Sequence, residues 1–465
     1  MDDTIAAVAT APGEGGIGII RISGEKAADI LGCIFVHREQ GTPPMDRQAF
    51  EFKSRCLYYG NIVDAATSEV IDEVLAVYMK APATYTKEDV VEINCHGSMI
   101  SLRKTLELIL RHGARLADRG EFTKRAFLNG RIDLSQAEAV MDMISARTDT
   151  GFEAAVTQME GKLSQSIKSI RDEILQLLAH VIVNLDYPDA DIEEITYAQL
   201  EKALAEIRLG IARLAETAAT GKIIREGLNT VIIGKPNVGK SSLMNALVRE
   251  SRAIVTEIPG TTRDTIEEII NINDIPIKLI DTAGIRQTED LIERIGIEKS
   301  KQSFNKADLV ILILNAAEDL TEEDIHIIGH IKAAKTIVLL NKTDLGQFLS
   351  EEHVKGLLPD ASVIQTAIPE GKGIEALEKE ISEFVYGGRV KQRQSVMITN
   401  VRHKELLEQA RSSIDDALAM CRSGEALDFI EVDIKRAWEL LGEIVGDTVS
   451  EDIIDEVFSR FCLGK

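Results

Sequence analysis

The segment G-K-P-N-V-G-K-S, Gly234 to Ser241, sits between the strand-like run TVII and the helix-like run SLMNALV. Glycines at 234 and 239 let a backbone curl until its N–H groups face phosphate oxygens. Lys240 adds a cation, and Ser241 a hydroxyl for Mg²⁺. Asn237, Val238 and Ser242 complete this candidate phosphate cradle. Downstream, D-T-A-G (Asp281, Thr282, Ala283, Gly284) follows an apolar strand, where the aspartate can hold the Mg²⁺ shell and the glycine N–H can meet a γ-phosphate. N-K-T-D (Asn341, Lys342, Asp344) closes another strand. Its aspartate offers two acceptor oxygens to adjacent N–H donors, which guanine has and adenine lacks. Thr262, in P-G-T-T-R-D, is placed to reach Mg²⁺ from a loop before these motifs. The ligand expected is GTP with Mg²⁺ on Ser241 and Thr262.

The residue after Gly284 is Ile285, which cannot orient an attacking water by hydrogen bonding, so hydrolysis must recruit another group. Arg286, Glu289, Asp290, Glu293 and Arg294 lie just downstream, and each taken alone reads best as part of a solvated helix face. Cys462, four residues from the end in F-C-L-G-K, has three readings: a prenylation site, an unused thiol, or a side chain carried by the tail into a site built elsewhere. Cys95-His96 looks like a nucleophile and its base, but neighbours in a strand point to opposite faces. The run GEGGIG precedes the strand-like IIRIS rather than a helix, which argues against dinucleotide binding.

These residues need elements to hold them. A chain of 465 residues is long enough for roughly three domains. The net charge of −23, from 53 basic and 76 acidic residues, disfavours nucleic-acid binding over the whole surface. Five scattered cysteines give neither a zinc pattern nor a disulfide framework. No apolar run approaches the length of a membrane helix, and the N-terminus lacks a basic signal start, so a cytoplasmic protein is expected. Residues 1–119 alternate strand-like runs (IAAVAT, IGIIRIS, EVLAVYM, DVVEIN) with helix-like ones such as SMISLRKTLELILRHG, as in an α+β domain. Residues 120–220 carry long helical stripes, first a capping box at Ser135 and Glu138, then Val156, Met159, Leu163, Ile167, Ile170, Ile174, Leu177 and Val181. Residues 221–386 alternate apolar strands (TVIIG, IKLIDT, DLVILILN, TIVLLNK) with helices, the signature of a parallel sheet. Helical texture returns over 387–465, so the α/β block reads as an insertion into a helical domain.

Taken together, G-x-G-G-I-G-I-I-R-I-S-G, G-E-F-T-K-R-A-F-L-N-G-R-I-D-L, D-T-A-G-I-R…I-E-R-I-G-I-E and the terminal F-C-L-G-K make the chain resemble the MnmE (TrmE) family of tRNA-modification GTPases over essentially its full length. P-N-V-G-K-S-S-L and G-T-T-R-D alone also occur in the Era and Der ribosome-assembly GTPases. The resemblance implies a multidomain fold: a folate-binding α+β domain, an all-α domain, and an inserted Ras-like α/β GTPase domain. It implies K⁺ activation, with Asn237, Thr256, Ile258 and Thr261 as K⁺ ligands and the loop Thr256, Glu257, Ile258, Pro259, Gly260, Thr261 and Thr262 closing over GTP. Held against the phosphates, K⁺ would stand where an arginine finger acts elsewhere, an answer to Ile285. Glu293 matches the residue that orients water, with Arg286 beside it as a catalytic candidate. Thr366, Ala367 and Ile368 stand where the family usually has S-A-K or S-A-R.

Arg21, Glu92, Arg131 and Lys465 fall at folate-contacting positions, and the tail would bring Cys462 to the one-carbon donor, 5,10-methylenetetrahydrofolate, for which 5-formyltetrahydrofolate is an analogue. Arg131 stands where a relative can carry lysine, which keeps the charge but not the hydrogen-bond geometry. The activity implied is addition of an aminomethyl or carboxymethylaminomethyl group at carbon 5 of wobble uridine 34 of certain tRNAs. The chain would act as a homodimer in a heterotetramer with an MnmG-like flavoprotein that holds FAD and NADH. No stable membrane anchor is expected, because Gly464 and Lys465 suit prenylation poorly. The rival readings are a ribosome-assembly GTPase and a membrane-remodelling or lipid-anchored GTPase.

Overall fold

The computed structural model describes residues 3–37, 52–186, 196–250, 268–280, 307–331, 335–346, 348–387 and 396–465. By packing, the chain divides into two compact units, Met1–Met141 with Gly442–Lys465, and Asp142–Leu441.

The first unit is built on β1 (Ile5–Val8), β2 (Gly15–Ser23), α1 (Ala27–Ile34), β3 (Phe35–His37), β4 (Leu57–Asp64), β5 (Glu69–Met79), β6 (Val90–Gly97), α2 (Met99–Arg111), β7 (Arg115–Leu116), α3 (Glu121–Leu128) and α4 (Leu134–Ser145). Its seven strands run in the order β3-β4-β5-β6-β2-β1-β7, with β7 parallel to β1 and the other neighbours antiparallel. Ile30, Leu31, Leu108 and Ile109 of α1 and α2 bury against Ile20, Ile22, Val74 and Ile93 of the sheet. The four strands expected from sequence are present. β3, β4 and β7 were not legible, since β3 and β7 have only three and two residues and LYYGNIVD breaks its alternation at Gly60.

Gly15 to Gly18 of the glycine run lie inside β2, while Gly13 and Glu14 precede it. At Gly97 of β6 an added Cβ would stand 2.3 Å from the Gly15 carbonyl oxygen, so the glycines permit a close strand approach. The capping box predicted at Ser135 and Glu138 sits two residues earlier. Gln136 N–H donates to Asp133 Oδ1 at 3.0 Å, and Asp133 N–H to Gln136 Oε1 at 2.9 Å. Ser135 is already helical, and its hydroxyl donates to the same carboxylate, because Asp133 is the residue that stands just before the first helical position. At the C-terminus, the helix Glu451–Ser459 is followed by Phe461, which buries with Phe458 against Leu134 and Ala137.

The second unit holds α5 (Asp149–Met159), α6 (Lys162–Asp186), α7 (Tyr197–Ala215) and α8 (Ala218–Glu226), and then the α/β block. The long stripe from Val156 is two helices, not one. Gly161, at φ 82°, interrupts it, and Leu163, Ile167, Ile170, Ile174, Leu177 and Val181 of the stripe are buried in the second helix. The block contains β8 (Leu228–Ile233), α9 (Lys240–Glu250), β9 (Glu268–Ile272), β10 (Ile275–Leu279), β11 (Leu309–Asn315), α10 (Glu322–His330), β12 (Lys335–Asn341), α11 (Glu351–Leu357), β13 (Ser362–Gln365) and α12 (Ile374–Tyr386). The sheet order is β13-β12-β11-β8-β10-β9, parallel except for the edge strand β9. Seven consecutive buried residues in β11 are what a strand covered on both faces requires.

Beyond the block come α13 (Val401–Ser423) and α14 (Leu427–Val445). α13 packs on α7, placing Leu407, Ala410 and Ile414 opposite the stripe of Leu200, Leu204, Ile207 and Ile211. Helices from before and after the α/β block therefore form one layer, the arrangement expected of an insertion.

Candidate functional sites

β8 ends at Ile233 and α9 starts at Lys240, so the cradle is a strand-to-helix turn. Gly234 and Gly239 have φ of 147° and 112°, and a Cβ on them would stand 2.4 Å from the Ile313 carbonyl oxygen and 2.3 Å from Asn341 Nδ2. Only glycine fits at either position. Asn237 is exposed at the turn with φ 61°, Val238 is buried beneath it, and Ser241 and Ser242 are exposed at the head of α9. Lys240 Nζ donates to the carbonyls of Gly234 and Lys235, the latter at 2.7 Å, and burial lowers its pKa. The ammonium thus lies across the loop that phosphates would fill, and the donor set suits a polyphosphate.

The guanine motif is tied to that loop. Asn341 Nδ2 donates to the Val238 carbonyl at 2.7 Å, while its Oδ1 accepts from Thr366 Oγ1 and from Ile368 N–H, both at 3.2 Å. One buried asparagine therefore joins the P-N-V-G turn to Thr366, Ala367 and Ile368. Lys342 takes the left-handed conformation with φ 67°, which turns the chain so that Asp344 is exposed. A contact that sequence reasoning missed is Lys235 Nζ on Asp324 Oδ2 at 2.7 Å, which pins the phosphate loop to α10. Nothing in G-K-P-N points to a partner some ninety residues away. Thr256 to Thr262, Asp281 to Gly284, Ile285, Arg286 and Glu293 lie outside the described residues.

The second site lies wholly in the first unit. Arg21 on β2 faces Glu92 on β6 in register, and Arg21 Nε donates to Glu92 Oε1 at 2.8 Å. Arg21 Nη1 also donates to the Gly464 carbonyl at 3.4 Å. Around this pair stand two rings: the Arg21 guanidinium lies 5.9 Å from the Tyr85 centroid and 5.6 Å from that of Phe122, and the Arg131 guanidinium lies 4.7 Å over Tyr85. Sequence reasoning named the three charged residues but neither ring, because residues 85 and 122 meet only through the tertiary fold.

The tail docks beside this pair. Gly120 N–H donates to the Cys462 carbonyl at 3.3 Å and Phe122 N–H to the Lys465 carbonyl at 3.2 Å, while Leu463 bridges Arg119. Gly464 has φ 85°, and a Cβ there would stand 2.1 Å from the Val8 carbonyl oxygen. The Cys462 side chain is exposed. Beneath α3, Arg125 is fully buried, with Asp3 Oδ1 at 2.7 Å, Glu121 Oε1 at 3.0 Å and Glu88 Oε1 at 3.1 Å. Arg115 adds a bond of 2.6 Å to Glu121. Burial would raise the Glu121 pKa, but the bond from Arg115, the Asp118 N–H and the Arg125 guanidinium together hold it below the usual range.

Cys95 and His96 do fall on opposite sides of β6. The thiol is buried, and burial pushes it up to about 12, while exposed His96 pairs with Asp72 at 2.6 Å. They form no dyad.

A family profile described as the MnmE helical domain matches residues 134–462, and one described as the GTP-binding protein TrmE N-terminus matches residues 4–131. The chain is 55% identical over 465 residues to the tRNA modification GTPase MnmE of Alkaliphilus metalliredigens (strain QYMF), covering all of both chains. It is 54% identical over 465 residues to that of Clostridioides difficile (strain 630), again covering all of both. Against the Geobacillus kaustophilus (strain HTA426) protein of the same name it is 51% identical over 464 residues, 100% of this chain and 99% of that one. Among solved structures, the G domain of the T. maritima FeoB iron transporter is 25% identical over 34% of this chain and 98% of its own, with a TM-score of 0.26. No helix among the described residues is long and apolar enough to cross a membrane. The chain belongs to the MnmE family of tRNA modification GTPases.

Proposed function

We propose that this GTPase, with an MnmG-like flavoprotein carrying FAD and NADH, adds an aminomethyl-type group at carbon 5 of wobble uridine 34, drawing the carbon from 5,10-methylenetetrahydrofolate. The observation that carries the reading is the meeting of Arg21, Glu92 and the Gly464 carbonyl beside Tyr85 and Phe122. Flat rings and an ion-paired carboxylate suit a pterin: the rings offer stacking faces, and Glu92 can accept adjacent N–H groups from the heterocycle edge. Arg131, stacked over Tyr85, and Lys465 would meet the carboxylates of the folate tail. Docking of Leu463, Gly464 and Lys465 keeps exposed Cys462 at this site as the candidate nucleophile.

In the G domain, Lys240 would hold the phosphates, Ser241 and Thr262 the Mg²⁺, and Asp344 the guanine. Asn237, whose left-handed backbone leaves its side chain exposed at the turn, would help hold K⁺ together with Thr256, Ile258 and Thr261. Glu293, with Arg286 beside it, would orient water. The chain would act in the cytoplasm as a homodimer, and the domain assignment that goes with this reading is 1–119, 120–220 with 387–465, and 221–386.

Equilibrium binding of 5-formyltetrahydrofolate to the wild type and to Glu92→Gln tests the folate reading. Removing a charged acceptor should weaken binding roughly tenfold. Equal affinity for both proteins, or none for either, contradicts it.

A further inference from the structure

The turn Asn273-Asp274 joins β9 to β10. Both residues have positive φ, 50° and 70°, and Ile272 pairs with Ile275 across it. This is the geometry of a type I′ turn, for which Asn-Gly is the strongest sequence signal. An aspartate in the second place strains the backbone where glycine would not. Its carboxylate is engaged elsewhere. Asp149 N–H donates to Asp274 Oδ1 and Thr150 N–H to Oδ2, each at 2.8 Å, and the Thr150 hydroxyl donates to Oδ2 as well. Thr148 Oγ1 takes the next amide, Gly151 N–H, at 3.1 Å. The first three amides of α5 are thus all satisfied, two of them by a residue of the hairpin turn. Asn273 Nδ2 adds a bond of 3.3 Å to Ser382 Oγ on α12.

Placement gives this contact its meaning. β9 follows the P-G-T-T-R-D stretch that holds Thr262, and β10 ends at Leu279, just before Asp281. The hairpin is therefore the covalent link between the two loops expected to sense the γ-phosphate, and its tip rests on a helix outside the α/β block. An anion at a helix N-terminus is held by the helix dipole as well as by the amides.

We infer that Asp274 is a positioning residue that carries the nucleotide state of the G domain into the helical layer by fixing the hairpin tip on α5. The inference rests on the proposed function only in taking the α/β block as a GTP-hydrolysing switch. Its test is independent of tRNA and folate, so failure of either reading is told apart from failure of the other.

The experiment is amide hydrogen exchange on the full chain, with GDP or with a non-hydrolysable GTP analogue, for wild type, Asp274→Gly and Asp274→Asn. Glycine restores the favoured turn, so Asp274→Gly removes the carboxylate without harming the hairpin. In wild type, exchange at the start of α5 should differ between the two nucleotides. In Asp274→Gly, the Asp149 and Thr150 amides should exchange roughly tenfold faster in both states, about the effect of one lost helix cap. The nucleotide-dependent difference in α5 should vanish while the difference at the phosphate loop persists. Asp274→Asn, which keeps an acceptor, should fall between. An α5 that ignores the nucleotide in wild type, or still responds to it in Asp274→Gly, overturns the inference.

Discussion

The phosphate loop and the tail-lined site are built by different means. The loop takes its shape from eight contiguous residues, in which two glycines and a left-handed asparagine bend the backbone until it becomes the ligand. The pocket has no such local origin. Arg21, Tyr85, Glu92, Phe122, Arg131 and Gly464 come from six separate stretches, brought together by β2–β6 pairing, by α3 and by the docked tail. A backbone site survives most surface change but fails when one glycine or its lysine is lost. A site assembled from distant parts depends on everything that holds the parts in place, including contacts far from the ligand.

The largest expected effect separates the two regions. Lys240→Ala removes the cation from the phosphate loop and should lower GTP hydrolysis by about 10²–10³-fold, while 5-formyltetrahydrofolate binding stays at the wild-type value. Steady-state phosphate release and equilibrium binding measure the two halves. A matching fall in folate affinity would break the separation.

Gly464→Ala inverts the test. A Cβ 2.1 Å from the Val8 carbonyl oxygen must push the tail off the sheet. Overpacking of this kind typically amounts to about 1–3 kcal/mol, so folate affinity should fall by roughly one to two orders of magnitude, with GTP hydrolysis unchanged. Carboxypeptidase should also release Lys465 faster from the variant. Wild-type rates in both assays would show that the tail does not line the pocket.

How far each region could be foreseen follows the same division. G-K-P-N-V-G-K-S shows its turn because strand, glycines and helix are neighbours in sequence, and N-K-T-D shows its base edge for the same reason. The tie between Asn341 and Val238 was hidden, since it spans the parallel sheet. In the pocket, the charged residues were legible only through resemblance, and nothing in the sequence marked Tyr85 or Phe122, whose rings meet Arg21 only in the tertiary fold. Local competition explains the smaller errors: Asp133 outcompeted Ser135 as cap, and Gly161 ended a helix whose apolar period continued past it.

The smallest effect concerns the charges beneath α3. Glu121 has its folded pKa held below the unfolded value, so its contribution to stability is present above that unfolded value and is lost as pH falls through the lower, folded one. Denaturation midpoints of the wild type should therefore decline as pH falls below the ordinary glutamate range, and those of Glu121→Gln should decline less. Parallel curves would show that this network does not hold α3, and with it the tail, through Glu121.

The most direct measurement is the wobble-nucleoside content of tRNA, by liquid chromatography and mass spectrometry, from cells lacking this protein and from cells rescued with wild type, Lys240→Ala or Cys462→Ser. The account predicts that 5-substituted uridines disappear with the deletion and return only with wild type, since hydrolysis and the tail cysteine are both required. Nucleosides unchanged by the deletion would contradict the proposed modification, and full rescue by Cys462→Ser would contradict the chemical role given to the tail.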